Sequence, residues 1–156
     1  MDASPYVVRR LQAADADLVA PLMEVFGRAF EDAETYGAQP PRRAYLERLL
    51  GDDTCLVLVA VEAGAVIGGL AAYELRKIER ERSEVYIYDL AVDEPHRRRG
   101  VATALIRALG AIAAARGAAV MFVQADYGDD PAIALYTKLG TREDVMHFDI
   151  ATLPPG

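Results

Sequence analysis

The stretch from Glu84 to Ala125 constrains the fold more than any other part of the chain. Glu84-Val85-Tyr86-Ile87-Tyr88-Asp89-Leu90-Ala91-Val92 is β-branched and aromatic, the composition of a central strand. Asp93-Glu94-Pro95-His96-Arg97-Arg98-Arg99-Gly100 reads as a turn, after which Val101, Leu105, Ile106, Leu109 and Ile112 recur at helical spacing up to Arg116-Gly117. Ala118 to Ala125 supplies another buried strand. Strand, helix and strand in this order predict parallel pairing through a right-handed crossover, and so an α/β (α+β) fold with helices on a sheet.

The flanking segments fill in that sheet. Tyr6 to Leu11 reads as a short edge strand, and Asp15 and Asp17 are candidate caps for a helix carrying Leu18, Leu22, Val25, Phe26 and Phe30. Pro21 fits that helix only within its first turn. A second helix is predicted from Pro40-Pro41 to Gly51, with an acidic loop of Glu31, Asp32 and Glu34 before it. Cys55 to Val61 and Val66 to Tyr73 flank Glu62-Ala63-Gly64-Ala65 as an antiparallel hairpin, and Gly68-Gly69 predicts a bulge or a close neighbour. Asp129-Asp130-Pro131 opens a short helix ended by Gly140, Thr141 to Ile150 reads as a final strand or strand pair, and Leu153 to Gly156 as a frayed tail.

A length of 156 residues predicts one domain, residues 1–156. The apolar run from Cys55 ends at Glu62, far short of the ~20 residues of a membrane-spanning helix, so no membrane role is expected. No secretory signal is legible, which makes the cytoplasm the expected compartment. One cysteine excludes an internal disulfide framework, and two histidines, His96 and His147, give no zinc-site spacing. A net charge of −7 argues against a nucleic-acid partner and suits a cationic one. Against that acidic background, Arg97, Arg98 and Arg99 form a basic island directly before a helix.

A helix start presents unpaired N–H groups and the positive end of its dipole, which together hold phosphate without any particular side chain. Gly100 lets an anion approach closely, Val101 and Ala102 open the helix with a slim turn, Thr103 adds a hydroxyl, and Arg97, Arg98 and Arg99 add charge-assisted bonds to the same anion or to a more distant phosphate. A solvated arginine loop beside a simple turn would have the same composition.

Arg97-Arg98-Arg99-Gly100-Val101-Ala102 resembles the Arg/Gln-x-x-Gly-x-Gly/Ala signature of the Gcn5-related N-acetyltransferases. Ser83 to Val92, Tyr127-Gly128-Asp129-Asp130-Pro131-Ala132 and Val145 to Ile150 are similar to the aminoglycoside 3-N-acetyltransferases of the first type, as are Phe26-Gly27-Arg28 and Leu70 to Tyr73. The resemblance implies a mixed twisted sheet whose fourth and fifth strands splay to admit the pantetheine arm of acetyl-CoA. Leu90, Ala91 and Val92 would pair with that arm, amides from Arg98 to Thr103 would hold the pyrophosphate, and an N–H near Leu90 would face the thioester oxygen. Asp129 stands where many members have asparagine, which puts its cofactor contact in question, and Thr141 where an aromatic is common.

The same likeness assigns the acid and base. Tyr136 matches the family's general-acid tyrosine, and Asp89, at the end of the central strand, is the candidate base for an incoming amine. An ammonium-rich acceptor calls for converging acids: Glu84, Asp126, Asp129, Asp130, Glu143 and Asp149, with Glu31, Asp32 and Glu34 closing from the helix loop and Tyr88 beside Asp89. His147 reads as a strand histidine and Cys55 as core, so no acyl-enzyme is expected. The implied activity is acetylation of the 3-amino group of the 2-deoxystreptamine ring of aminoglycosides. Another polyamine, a protein amine, or a non-catalytic acyl-CoA sensor are alternatives, and a homodimer is a further expectation.

Overall fold

The computed structural model describes residues 5–155. Chain contacts divide it into two units, one reaching Gln124 and one starting at Ala125.

The first unit is a five-stranded sheet in the order β1-β2-β3-β4-β5. Its strands are β1 (Val7–Arg10), β2 (Cys55–Glu62), β3 (Ala65–Lys77), β4 (Arg82–Val92) and β5 (Ala118–Val123). All neighbours are antiparallel except β4 and β5, which run parallel as the intervening helix requires. The sheet is therefore mixed. The helices are α1 (Val19–Ala29), α2 (Ala33–Gly37), α3 (Arg43–Gly51) and α4 (Val101–Ala115). Pro21 lies in the first turn of α1, where its missing N–H costs nothing. The acidic loop holds a helix that its composition did not announce: Asp32 accepts from the Thr35 amide at 3.1 Å and caps α2, which carries Glu34.

Strand alternation splits the core into two layers. Cys55, Val57 and Val59 of β2 pack with Leu22, Val25 and Phe26 of α1 and with Leu50 of α3. Leu56, Leu58 and Ala60 are equally buried, and their opposite parity turns them to the α4 side, where Val101, Leu105 and Leu109 are closed off from solvent. Gly69 explains how closely α1 approaches, because a Cβ there would lie 2.5 Å from Leu22 Cδ1 and 2.6 Å from the Leu58 carbonyl.

Two irregularities in β4 matter for function. Ala71 pairs with Asp89 but Ala72 with Ile87, so Tyr88 is an extra residue, a β-bulge. The β4–β5 ladder runs only from Ser83 opposite Ala118 to Ile87 opposite Val123. Beyond Ile87 the two strands part, leaving the β5-facing side of residues 88–92 outside that ladder.

In the second unit, α5 (Asp130–Leu139) has proline in its first turn and is capped by Asp129, which accepts from the Ala132 amide at 3.3 Å. The strand expected over 141–150 is not formed, and residues 141–155 carry no regular secondary structure. Met146, Phe148 and Ile150 keep the alternation of a strand, yet are 81%, 74% and 88% exposed. The pattern is strand-like, but a strand exists only where a neighbour accepts its hydrogen bonds. No helix among the described residues is long and apolar enough to cross a membrane. The expected tail lies partly outside the described residues, at Gly156.

Candidate active site

The bulge decides which way the candidate base faces. Val85 and Ile87 are buried at the parity opposite to Tyr86, and unbroken alternation would send residue 89 to their side. The extra residue shifts the phase. Asp89 therefore sits opposite Ala71, on the face that packs against α1 and α2, and Ala91 joins that same layer. There the Tyr36 hydroxyl, from α2, donates to Asp89 Oδ1 at 2.8 Å. Burial pushes the Asp89 carboxyl above its ordinary value, and the Tyr36 bond pulls partly the other way. No cation forms an ion pair with it among the described residues.

Other carboxylates of the first unit are held differently. Arg28 clamps Asp93 at 2.9 and 3.1 Å, Arg99 clamps Glu62 at 2.7 and 3.1 Å, and Arg116 joins Glu74 at 2.7 Å. Each of these acids is driven below the usual carboxylate range, chiefly by the arginine for Asp93 and Glu62 and by the Ser83 hydroxyl for Glu74. Asp89 keeps its proton affinity.

Tyrosines surround it. Tyr88, 63% exposed, lies edge-on to Tyr86 at 5.4 Å and to Tyr73 at 6.2 Å, and Tyr86 stacks on Phe122 at 4.6 Å. Tyr73, Tyr86 and Phe122 were not singled out from the sequence, although the Tyr86-Ile87-Tyr88 alternation was there to read. On the same face, an open cleft of about 440 Å³ between α1 and α2 is lined by Glu24, Gly27, Arg28, Glu31 and Tyr36 among others. Glu31 is thus at the cleft, while Asp32 serves as the α2 cap. Glu84 pairs with Arg82 at 3.2 Å.

The loop before α4 offers backbone groups to an anion. Gly100 takes φ 78 and Arg98 φ 63, two left-handed positions in the turn before the helix. No side chain caps α4, and the amides of residues 98–103 donate to no acceptor among the described residues. Unpaired amides at the start of a 15-residue helix are the donor set a diphosphate needs. The residues present fit the group. The arginines divide their work: Arg97 donates to the Val92 carbonyl at 2.9 Å and ties the loop to β4. Arg99 is turned to Glu62, His96 and the Tyr6 ring, and Arg98 is exposed. Leu90, Ala91 and Val92 lie where β4 has left β5.

The second unit holds the remaining candidates. Tyr136 lies in the middle of α5, its hydroxyl pushed up to about 12 by burial, with the charge of Asp129 adding to it. Asp130 opens α5, the Asp126 carbonyl accepts from the Asp129 amide, Asp149 pairs with His147 at 2.8 Å, and Glu143 is exposed.

The site thus joins a bulged strand that parts from its parallel neighbour to an uncapped helix with free amides. The description "Acetyltransferase (GNAT) family" matches residues 19–141. The chain belongs to the GNAT acetyltransferase family. A crystal structure of an aminoglycoside acetyltransferase from an uncultured soil metagenomic sample is 55% identical, with a TM-score of 0.93 over 96% of this chain and 99% of that one. A second aminoglycoside acetyltransferase of soil metagenomic origin, solved in complex with sisomicin, is 31% identical, with a TM-score of 0.87 over 95% and 97% of the two chains. A ribosomal-protein-alanine N-acetyltransferase from Brucella melitensis shares the fold at 24% identity and a TM-score of 0.72, covering 94% and 99%. No curated protein matches. This GNAT chain is an acetyltransferase, similar at 31% identity and above to aminoglycoside acetyltransferases.

Proposed function

We propose that this GNAT protein, working as a single domain over residues 1–156, transfers acetyl from acetyl-CoA to the 3-amino group of the 2-deoxystreptamine ring of aminoglycoside antibiotics. The observation that carries the reading is Asp89: a half-buried carboxylate without an arginine partner, set by the bulge within the strand segment that lies beyond the β5 ladder. The two soil aminoglycoside acetyltransferases support the acceptor class.

Acetyl-CoA, when bound, supplies an activated acetyl thioester. The amides of Arg98 to Thr103, with Gly100, Val101 and Ala102 at the helix start, would hold its diphosphate, and the free side of Leu90, Ala91 and Val92 would take its amide-bearing arm. Asp89 attracts the acceptor ammonium by charge and takes up the proton that the amine must lose before it attacks. Its raised proton affinity makes it a better base than an ordinary aspartate. Tyr136 is assigned the proton donated to the departing thiolate, a phenol being protonated at neutral pH and burial holding it in that form. Glu31 and Asp32 on one side and Glu84 with Tyr88 on the other are assigned to the remaining ammonium groups, and open tyrosine faces suit cations as well. Asp126, Asp129, Asp130, Glu143 and Asp149 are further candidates for that role. A gain of acetyl removes one positive charge from the drug, weakening its hold on ribosomal RNA and conferring resistance.

Release of free CoA thiol with sisomicin, other aminoglycosides, polyamines and peptides tests the acceptor, and NMR of the product locates the acetyl group. Turnover of peptides alone, or binding of acetyl-CoA without turnover, overturns the reading. Tyr136→Phe is expected to lower kcat by more than it raises the KM for acetyl-CoA, and an unchanged kcat removes Tyr136 as the acid. A homodimer belongs to the same reading, since the exposed Met146, Phe148 and Ile150 alternation needs cover. Light scattering in solution checks it.

A further inference from the structure

We propose that Tyr36 is a positioning residue that fixes the orientation and the proton affinity of Asp89; the inference rests on the reading of Asp89 as the base. Nothing in the sequence marked Tyr36, which stands in the stretch read as an acidic loop. Three observations converge on it.

The first is how the ring is held. Tyr36 packs edge-on against Phe26 at 5.8 Å and tilted against Phe30 at 5.5 Å, and Phe26 itself is fully buried. α2 lies so close to α1 that a Cβ on Gly27 would be 3.5 Å from Ala33 Cα and 3.7 Å from Tyr36 Cβ. The helix carrying the tyrosine is only five residues long and would not persist in isolation, so the Asp32 cap and this aromatic packing are what locate the hydroxyl.

The second is the bulge. One inserted residue turns Asp89 toward α2 and away from the α4 layer, where the acid would otherwise be buried among Val85 and Ile87. The bulge and α2 are separated by 53 positions between their hydrogen-bonded residues, yet each makes sense only with the other.

The third is the choice of partner. Arginines secure Asp93, Glu62 and Glu74, whereas Asp89 receives one neutral phenol on Oδ1 and leaves Oδ2 without a protein hydrogen bond among the described residues. A guanidinium would lower the proton affinity of the carboxylate and occupy both oxygens. A phenol aligns one oxygen and frees the other for an ammonium. The remaining titratable groups facing this pair are Tyr73 from β3, Tyr86 and Tyr88 from β4, and Asp32 at the start of α2, with Glu24, Glu31 and the paired Arg28 lining the adjoining cleft. None is a free cation that would replace the lost bond.

Tyr36→Phe keeps the ring and removes only the donor. Two readouts test it. In the first, kcat/KM for sisomicin is followed against pH in both proteins: the acidic limb is expected to move upward by about one unit, so that activity below both limbs falls about tenfold while the alkaline plateau loses less. In the second, the Asp89 carboxyl is titrated by carbon NMR in the absence of any substrate, with its resonance assigned by Asp89→Asn. An upward shift in Tyr36→Phe supports the proposal; an unchanged or lowered value overturns it, whatever the activity. Thermal melting of Tyr36→Phe close to that of the parent separates the lost bond from lost packing. If Asp89→Asn retains full turnover, the assignment of the base falls, and the titration still judges the link between Tyr36 and Asp89.

Discussion

The two faces of the sheet are built from the same strands and end in opposite states. On the α4 side, Leu56, Leu58, Leu70, Ala72, Val85 and Ile87 meet Val101, Leu105 and Leu109 with essentially no exposed apolar surface. On the other side, α1, α2 and α3 close one half in the same way, but the half formed by β4 and β5 is left open, with Tyr73 37% and Tyr88 63% exposed. One inserted residue separates these regimes, because the bulge at Tyr88 hands Asp89 from the closed face to the open one. With Asp89 as the proposed base, stability and chemistry fall on different faces of a single strand. A substitution on either side is expected to damage one property and spare the other.

Asp89→Asn gives the largest expected effect. Loss of a positioned base typically costs about 10²–10⁴-fold, so kcat should fall by that order with little change in the denaturation midpoint. If turnover survives and stability collapses instead, the open face is structural and the contrast fails. Leu109→Ala probes the closed face. Leu109 is 0% exposed on α4, and truncating a buried leucine costs about 2–5 kcal/mol through lost burial and the cavity left behind. Urea unfolding should show that loss, while kcat measured well below the new melting temperature stays near the parent value. A matching fall in kcat would mean that α4 transmits strain to the site and that the faces are coupled.

The closed face was legible in the sequence because it depends on period alone. Val101, Leu105 and Leu109 repeat at helical spacing, the Cys55–Val61 run marks a buried strand, and Glu62-Ala63-Gly64-Ala65 forms its turn with Ala63 at φ 50 and Gly64 at φ 81. The glycine loop was legible for a similar reason, since its left-handed backbone is one that Gly100 permits. The open face was less so. Asp89 could be named, but the bulge that orients it leaves no residue-type signature in Tyr88, and α2 is too short for periodicity to declare it. Tyr36 was therefore missed, as a contact spanning 53 positions in sequence must be when only local pattern is read. Arg99 shows the reverse. A basic island invited assignment of all three arginines to an anion, whereas Glu62 on β2 engages Arg99. The strand expected over 141–150 had the right alternation, but period cannot say whether a neighbouring strand is at hand.

The smallest effect concerns stability rather than rate, and it sharpens the contrast most directly. Burial raises the Asp89 carboxyl above its ordinary value, so between the unfolded value and the folded one the native chain binds more protons than the unfolded chain. Stability attributable to this group therefore declines as pH climbs through that window, and the penalty persists above it. The arginine-bound acids act with the opposite sign: Asp93, Glu62 and Glu74 are depressed in the fold, and the stability they contribute is lost as pH falls from their ordinary values through the folded ones. Subtracting the stability profile of Asp89→Asn from that of the parent cancels the second group and leaves the first. The difference should favour the parent more at the acidic end than at neutral pH. A flat difference would mean that Asp89 is as well solvated as an unfolded aspartate, and that the open face has no hold on its proton.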